Sequence, residues 1–172
     1  MKLKFLLTTI LVSVILTGCG QSEEASSGDV DIKELVNDYS TDEITEGSAS
    51  ITSEKLIIQD QDGQEKIYDL PEDEFFVSIA PFVNQTHPCT NHSLTGCQGE
   101  MVEETFDVYI ENQDGEVIVD KEMKTFKNGF FDLWLPREQT YNVTVKHDGK
   151  IAEQKISTYE PDGTCITTMR LS

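Results

Sequence analysis

Positive charge is scarce in this chain. Thirteen lysines and arginines stand against 32 aspartates and glutamates, for a formal net charge of −19. A surface of that sign repels nucleic acid and anionic lipid, so no nucleic-acid partner is expected. It also concentrates small cations, although a solubilising surface needs no other explanation. Apolar length is scarce as well. FLLTTILVSVIL, residues 5–16, is too short to span a bilayer comfortably. No Gly-x-Ser-x-Gly elbow is present, which removes the usual hydrolase nucleophile. No pair of Cys-x-x-Cys motifs sets up a zinc ribbon. Two acidic stretches, DQDGQE and ENQDGE, lack the spaced ligands and closing glutamate of a calcium loop and read as hairpin turns.

What is present begins with an export signal. Lys2 and Lys4 precede the apolar run, and Leu16-Thr17-Gly18-Cys19 follows it. A basic n-region, an apolar core and a small residue before cysteine make a secretory leader. The last four residues also resemble a bacterial lipobox, which implies cleavage before Cys19, acylation of its sulfur, and a protein held to the cell membrane by lipid. Loss of the leader removes Lys2 and Lys4 and takes the formal charge from −19 to −21. The mature length suits one domain, or one domain with a small appendage.

Residues 20–30, GQSEEASSGDV, are small, polar and acidic, the composition of a flexible tether. In DIKELVNDYS, residues 31–40, Ile32, Leu35, Val36 and Tyr39 share one helical face, and Asp31 with Glu34 forms a capping-box pattern. So short a helix needs a surface to dock on. TDEITEGSAS then reads as a second linker. From residue 51 the period is that of strands. SEKLIIQD and EKIYDLP flank a turn at Asp62-Gly63, and DEFFVSIAPFV is a strong strand. TFDVYIEN, EVIVDKEM, FFDLWLP, YNVTVKH, KIAEQKIST and CITTMRL follow, with turns at Asp114-Gly115, Asn128-Gly129 and Asp148-Gly149. Strand runs at this spacing predict a mainly β chain, an immunoglobulin-like β-sandwich with a short N-terminal helix and hairpin. The stretch from Val108 to Val145 is also similar to transthyretin-like and carboxypeptidase-regulatory-like sandwiches. The expected divisions are a leader over 1–18, an anchor, tether and helix over 19–50, a hairpin region over 51–74 and a sandwich over 75–172.

The chemistry concentrates in HPCTNHSLTGC, residues 87–97, which holds two of the four cysteines and two of the three histidines. With Cys19 assigned to lipid, Cys89, Cys97 and Cys165 remain, and three cannot all pair within one chain. One reading is a disulfide with a leftover thiol, best placed as Cys89–Cys97 closing the loop. The other is three thiolates meeting at a soft metal. His87 and His92 bracket Cys89, and Pro88 stiffens the backbone between, so imidazole and thiolate can face one point. Thiolates select Cu(I), zinc or iron–sulfur, and imidazole suits copper and zinc. His147, beside the Asp148-Gly149 turn, reads as a solvated surface residue. Phe131, Trp134 and Leu135 read as core.

FFVSIAPFVNQTHPCTNHSLTGCQGE, then FDVYI, KNGFFDLWLP and the closing TCITTM, resemble the CueP family of exported bacterial copper-binding proteins. The likeness runs from about residue 50 to the C-terminus. It implies that Cys89, Cys97 and Cys165 are copper ligands, and that His87 and His92 correspond to the family's loop histidines. It further implies Cu(I) handling in the cell envelope, with Cu(II) reduced by the same thiols, and an N-terminal region that mediates dimerisation. A thiol reductase to recycle the cysteines and a protein that accepts the copper are expected partners. The lipid anchor departs from the family's best-known members, which are free in a periplasm. The expected role is copper sequestration or transfer rather than enzymatic turnover. Two alternatives compete with it, a thiol–disulfide redox protein using Cys89 and Cys97, and a structural domain stabilised by zinc.

Overall fold

In the computed structural model the described residues are 23–24 and 30–172. The leader and the lipidation site expected at Cys19 lie outside them. Among the described residues no helix is long and apolar enough to cross a membrane.

The described residues are mainly β and build three sheets. The strands are β1 (Glu23–Glu24), β2 (Ser48–Ile51), β3 (Lys55–Gln59), β4 (Glu65–Asp69), β5 (Glu74–Ile79), β6 (His92–Ser93), β7 (Thr105–Asn112), β8 (Val117–Lys124), β9 (Phe131–Pro136), β10 (Thr140–His147), β11 (Lys150–Ser157) and β12 (Cys165–Ile166). The orders are β11-β10-β7-β8, β12-β5-β9 and β1-β4-β3-β2-β6. Phe75, Val77 and Ile79 of β5 and Phe131, Leu133 and Leu135 of β9 face the four-stranded sheet and meet Phe106, Val108, Ile110, Tyr141, Val143 and Val145. This is the sandwich core expected from the alternation in TFDVYIEN, FFDLWLP and YNVTVKH.

The opposite face of β5 is also covered. Phe76 joins Ala49, Ile51, Leu56, Ile58 and Leu94 in a second core beneath the N-terminal sheet. That is why DEFFVSIA is apolar almost throughout rather than alternating. The three-stranded sheet is therefore the middle layer, and the site forms at its β12 edge.

Helix α1 (Ile32–Ser40) begins at Asp31, whose carboxylate accepts the N–H groups of Lys33 and Glu34, each at 3.1 Å. Nine residues are marginal alone, but Ile32, Val36 and Tyr39 bury themselves in the second core. At about 1.5–3 kcal/mol for a large apolar side chain, such burial holds the helix. Leu35 is only partly buried against the same cluster. The linker expected at residues 41–50 is shorter than its composition suggests, because Ser48–Ile51 forms β2 and pairs with both β3 and β6. At the other end, only Cys165–Ile166 of CITTMRL is a strand, and the remainder follows β5 through a single bridge between Phe82 and Arg170.

The acidic turns are hairpin turns. Asp60 accepts the N–H groups of Asp62 and Gln64 at 3.0 and 2.9 Å, and Asn112 does the same for Asp114 and Glu116 at 3.1 and 2.9 Å. These side-chain oxygens are spent on their own loops.

Candidate metal centre

Cys89, His92, Cys97 and Cys165 converge. Their ligand atoms all lie within 4.8 Å of one another. Each is placed by a different device. Cys165 is carried by β12, which pairs in parallel with β5 so that Cys165 lies opposite Ser78. His92 belongs to β6 and pairs with Ile51 of β2, so it comes from the N-terminal sheet. Thr164, fully buried, joins the two sheets at this point. Its hydroxyl accepts the N–H of His92 at 2.9 Å and donates to the carbonyl of Ile51 at 2.7 Å.

Cys89 is drawn in by its neighbour Thr90, whose carbonyl accepts the N–H of Cys165 at 3.0 Å. This approach requires Gly163, where a Cβ would stand 2.6 Å from that same carbonyl oxygen. Cys97 closes a tight turn in which its N–H reaches the carbonyl of Ser93 at 3.0 Å and its sulfur accepts the N–H of Ser93 at 3.4 Å.

Cys89 and Cys165 are joined by a disulfide, with Cα atoms 5.7 Å apart. The pairing differs from the loop closure by Cys89 and Cys97 that sequence proximity suggests, because β12 brings a residue 76 positions away onto the loop. Cys97 is the free thiol, partly exposed, with its sulfur 3.5 Å from that of Cys89. The Nδ1 of His92 lies 3.5 Å from the sulfur of Cys165.

His92 is fully buried. Its ring centroid is 4.5 Å from that of Phe130, which packs with Ala80 and Cys165 and against Cys89 and Cys97. Burial, with the neighbouring charge of His87 as the lesser cause, lowers its pKa to about 4, so the imidazole is a neutral ligand at physiological pH. His87 stands outside the cluster of four. It is partly exposed, with its ring 6.2 Å from Phe130. His147 is remote, its Nδ1 2.8 Å from the carbonyl of Thr105.

Three sulfurs and a neutral imidazole, half sealed by an aromatic ring, make a donor set for a soft or borderline ion. Metal–thiolate bonds of about 2.3 Å put sulfurs around one ion roughly 4 Å apart. Cys97, 3.5 Å from Cys89, is near that spacing, while Cys89 and Cys165 must move apart from their disulfide to reach it. Reduction of the disulfide frees the third sulfur.

Residues 31–170 match the family model described as the periplasmic copper-binding protein CueP. The chain belongs to the CueP family. A solved structure, "Crystal Structure of S.CueP", is 37% identical, covers 84% of this chain and 91% of its own, and superposes with a TM-score of 0.78. No curated protein matches the chain. Membership of this family of periplasmic copper-binding proteins places the protein outside the cytoplasm.

Residues that sequence reasoning did not single out surround this cluster in the CueP-family chain. Ser78 and Asp132 lie opposite one another in the β5–β9 pair and behind His92. In FFDLWLP, Asp132 falls on the face shared by Phe130 and Trp134, and an acid between two aromatics on a covered strand was the available signal. Glu100 holds the approach to the loop. Its carboxylate accepts the N–H groups of Val83, Asn84 and Gln85 at 2.7, 2.9 and 3.2 Å.

Proposed function

We propose that the protein captures copper outside the cytoplasm, holding Cu(I) through the thiolates of Cys89, Cys97 and Cys165 with Nδ1 of His92 as a further donor. The convergence of these four ligand atoms within 4.8 Å, in a CueP-family chain, carries this reading. A d¹⁰ ion among thiolates is withdrawn from radical chemistry, so tight binding is itself protective. His87, at the rim, serves as an entry point rather than a resident ligand.

The disulfide supports a second step. Two Cu(II) ions accept one electron each from the thiolates of Cys89 and Cys165, giving two Cu(I) ions and the Cys89–Cys165 disulfide. Recovery of the thiols then takes two electrons from a thiol reductase. Cupric reduction is on this account stoichiometric, one turn for each re-reduction, and not enzymatic turnover. Acylation of Cys19 would hold the site at the outer surface of the cell membrane, from which copper passes to an acceptor protein. The N-terminal region is proposed as a dimer contact on the strength of the family resemblance alone.

The test is a Cu(I) titration of the reduced mature chain, anaerobically and against a chromophoric chelator, with zinc in parallel. One equivalent bound tightly, weakened in Cys165→Ser and Cys97→Ser and not matched by zinc, supports the three-thiolate copper site. Binding indifferent to Cys165 refutes it, and tighter zinc than copper assigns the cluster a structural role instead.

A further inference from the structure

Behind the ligands runs a line of hydrogen-bonding groups from helix α1 to the sulfurs. The Ser40 hydroxyl donates to Oδ2 of Asp132 at 2.6 Å, and the Ser78 hydroxyl donates to Oδ1 at 2.6 Å. The Ser78 oxygen lies 3.3 Å from Nε2 of His92, whose Nδ1 faces Cys165 at 3.5 Å. Ser78 and His92 are both fully buried, so water does not compete for these contacts.

Proton counting fixes the direction of each contact. An ionised carboxylate only accepts, so both serine protons are committed to Asp132. Ser78 then has only lone pairs left for Nε2, and the contact is satisfied when Nε2 carries the imidazole proton. A neutral ring has one N–H, so Nδ1 is left with its lone pair directed at the sulfur cluster. Strand pairing makes the arrangement rigid, since Ser78 sits between Asp132 and Cys165 in the register of β9, β5 and β12.

We propose that Ser78 and Asp132 are positioning residues of the metal centre, which act through His92 by holding it in the Nε2–H tautomer with Nδ1 free to bind. The proposal rests on the assignment of His92 as a copper ligand. Outer partners of this kind orient a ligating histidine and raise its basicity, and their loss commonly costs about 10–100-fold in metal affinity. Neither residue touches the ion. Ser40 extends the line to α1, so the docking of that helix bears on the same carboxylate.

The experiment uses the mature chain, reduced and metal-free, with ¹⁵N-labelled histidine. Ring nitrogen shifts should show His92 as the Nε2–H tautomer in the wild type and in Ser78→Thr, which keeps the hydroxyl. Ser78→Ala should populate the Nδ1–H form and lower Cu(I) affinity by about 10–100-fold, with Ser78→Thr restoring most of it. Asp132→Asn, nearly isosteric, leaves one acceptor oxygen for two serines and should show a mixed tautomer. A wild-type tautomer in both Ser78→Ala and Asp132→Asn overturns the proposal. So does an unchanged affinity in Ser78→Ala while His92→Ala loses affinity. A shifted tautomer with no loss in His92→Ala itself overturns the assignment of His92 as a ligand, and the proposal falls with it.

Discussion

The sulfur of Cys97 stands 3.5 Å from that of Cys89, which is already bonded to Cys165. Exchange therefore needs little motion. Attack by the Cys97 thiolate on Cys89 would form a new bond and release Cys165 beside His92. Oxidised Cys97→Ser should keep the Cys89–Cys165 link, and oxidised Cys165→Ser should form Cys89–Cys97 instead. Peptide mapping by mass spectrometry reads both, and two free thiols persisting in oxidised Cys165→Ser would refute the exchange.

Gly163 is the steric condition for bringing the loop to β12. A methyl there would stand 2.6 Å from the backbone oxygen of Thr90, which cannot yield as a side chain can. Gly163→Ala should cost roughly 1–3 kcal/mol of stability, the usual penalty of overpacking. It should also slow formation of the Cys89–Cys165 disulfide. Urea midpoints and thiol titration during reoxidation check the two effects.

His92 and Asp132 give opposite pH dependences. Burial, with His87 as the lesser cause, holds the folded imidazole at about 4 against 6.5, so below 6.5 the unfolded chain binds a proton that the folded one refuses. This group removes stability as pH falls from 6.5 towards 4. Burial, opposed by the hydroxyls of Ser40 and Ser78, raises Asp132 to about 6 against 3.8. Between those values the folded state binds the extra proton, so this group removes stability as pH rises. Asp132→Asn deletes the second slope alone. The variant should gain up to about 3 kcal/mol over the wild type at neutral pH, less what the serines lose, and should fall more steeply in acid. Urea midpoints across this window decide it, and parallel curves would contradict the assignment.

Glu100 fastens residues 83–85 ahead of the cysteine loop. The backbone N–H of Asn84 is the leading cause that lowers its pKa to about 2 from 4.5, with the amide of Asn84 and the N–H groups of Val83 and Gln85 adding to it. Its contribution is present above 4.5 and fades as pH falls towards 2. Glu100→Gln should raise amide hydrogen exchange at Val83 to Gln85 by roughly tenfold while leaving the sandwich strands unchanged.

Much of this fold was legible because its strands keep their period. TFDVYIEN and YNVTVKH alternate as strands with one covered face, and the turn residues mark their ends. β2 was hidden because Ser48, Ala49 and Ser50 are small and carry no strong strand preference, and only pairing with β3 and β6 makes them a strand. The cluster of ligands was visible as composition in HPCTNHSLTGC, the cysteine count left Cys165 as a third candidate thiolate, and the family resemblance implied the same three. The bond between Cys89 and Cys165 was not visible, because it depends on the parallel pairing of β12 with β5, a long-range register that no local pattern encodes. Ser78 and Asp132 were hidden for a related reason. A serine and an acid on strands look like polar-face residues until a second sheet covers them.

His92 is held by the N-terminal sheet and Cys165 by the middle one. An ion that binds both is a further crosslink between two cores that already meet through the hydrogen bonds of Thr164 and Ser40 and through apolar packing around Phe76 and Trp134. Affinity and cohesion then share one free energy. By linkage, loosening helix α1 from its seat weakens the grip on the ion as far as the ion strengthens that seat. Metal loading would thus be felt along the whole N-terminal sheet and the helix that docks on it.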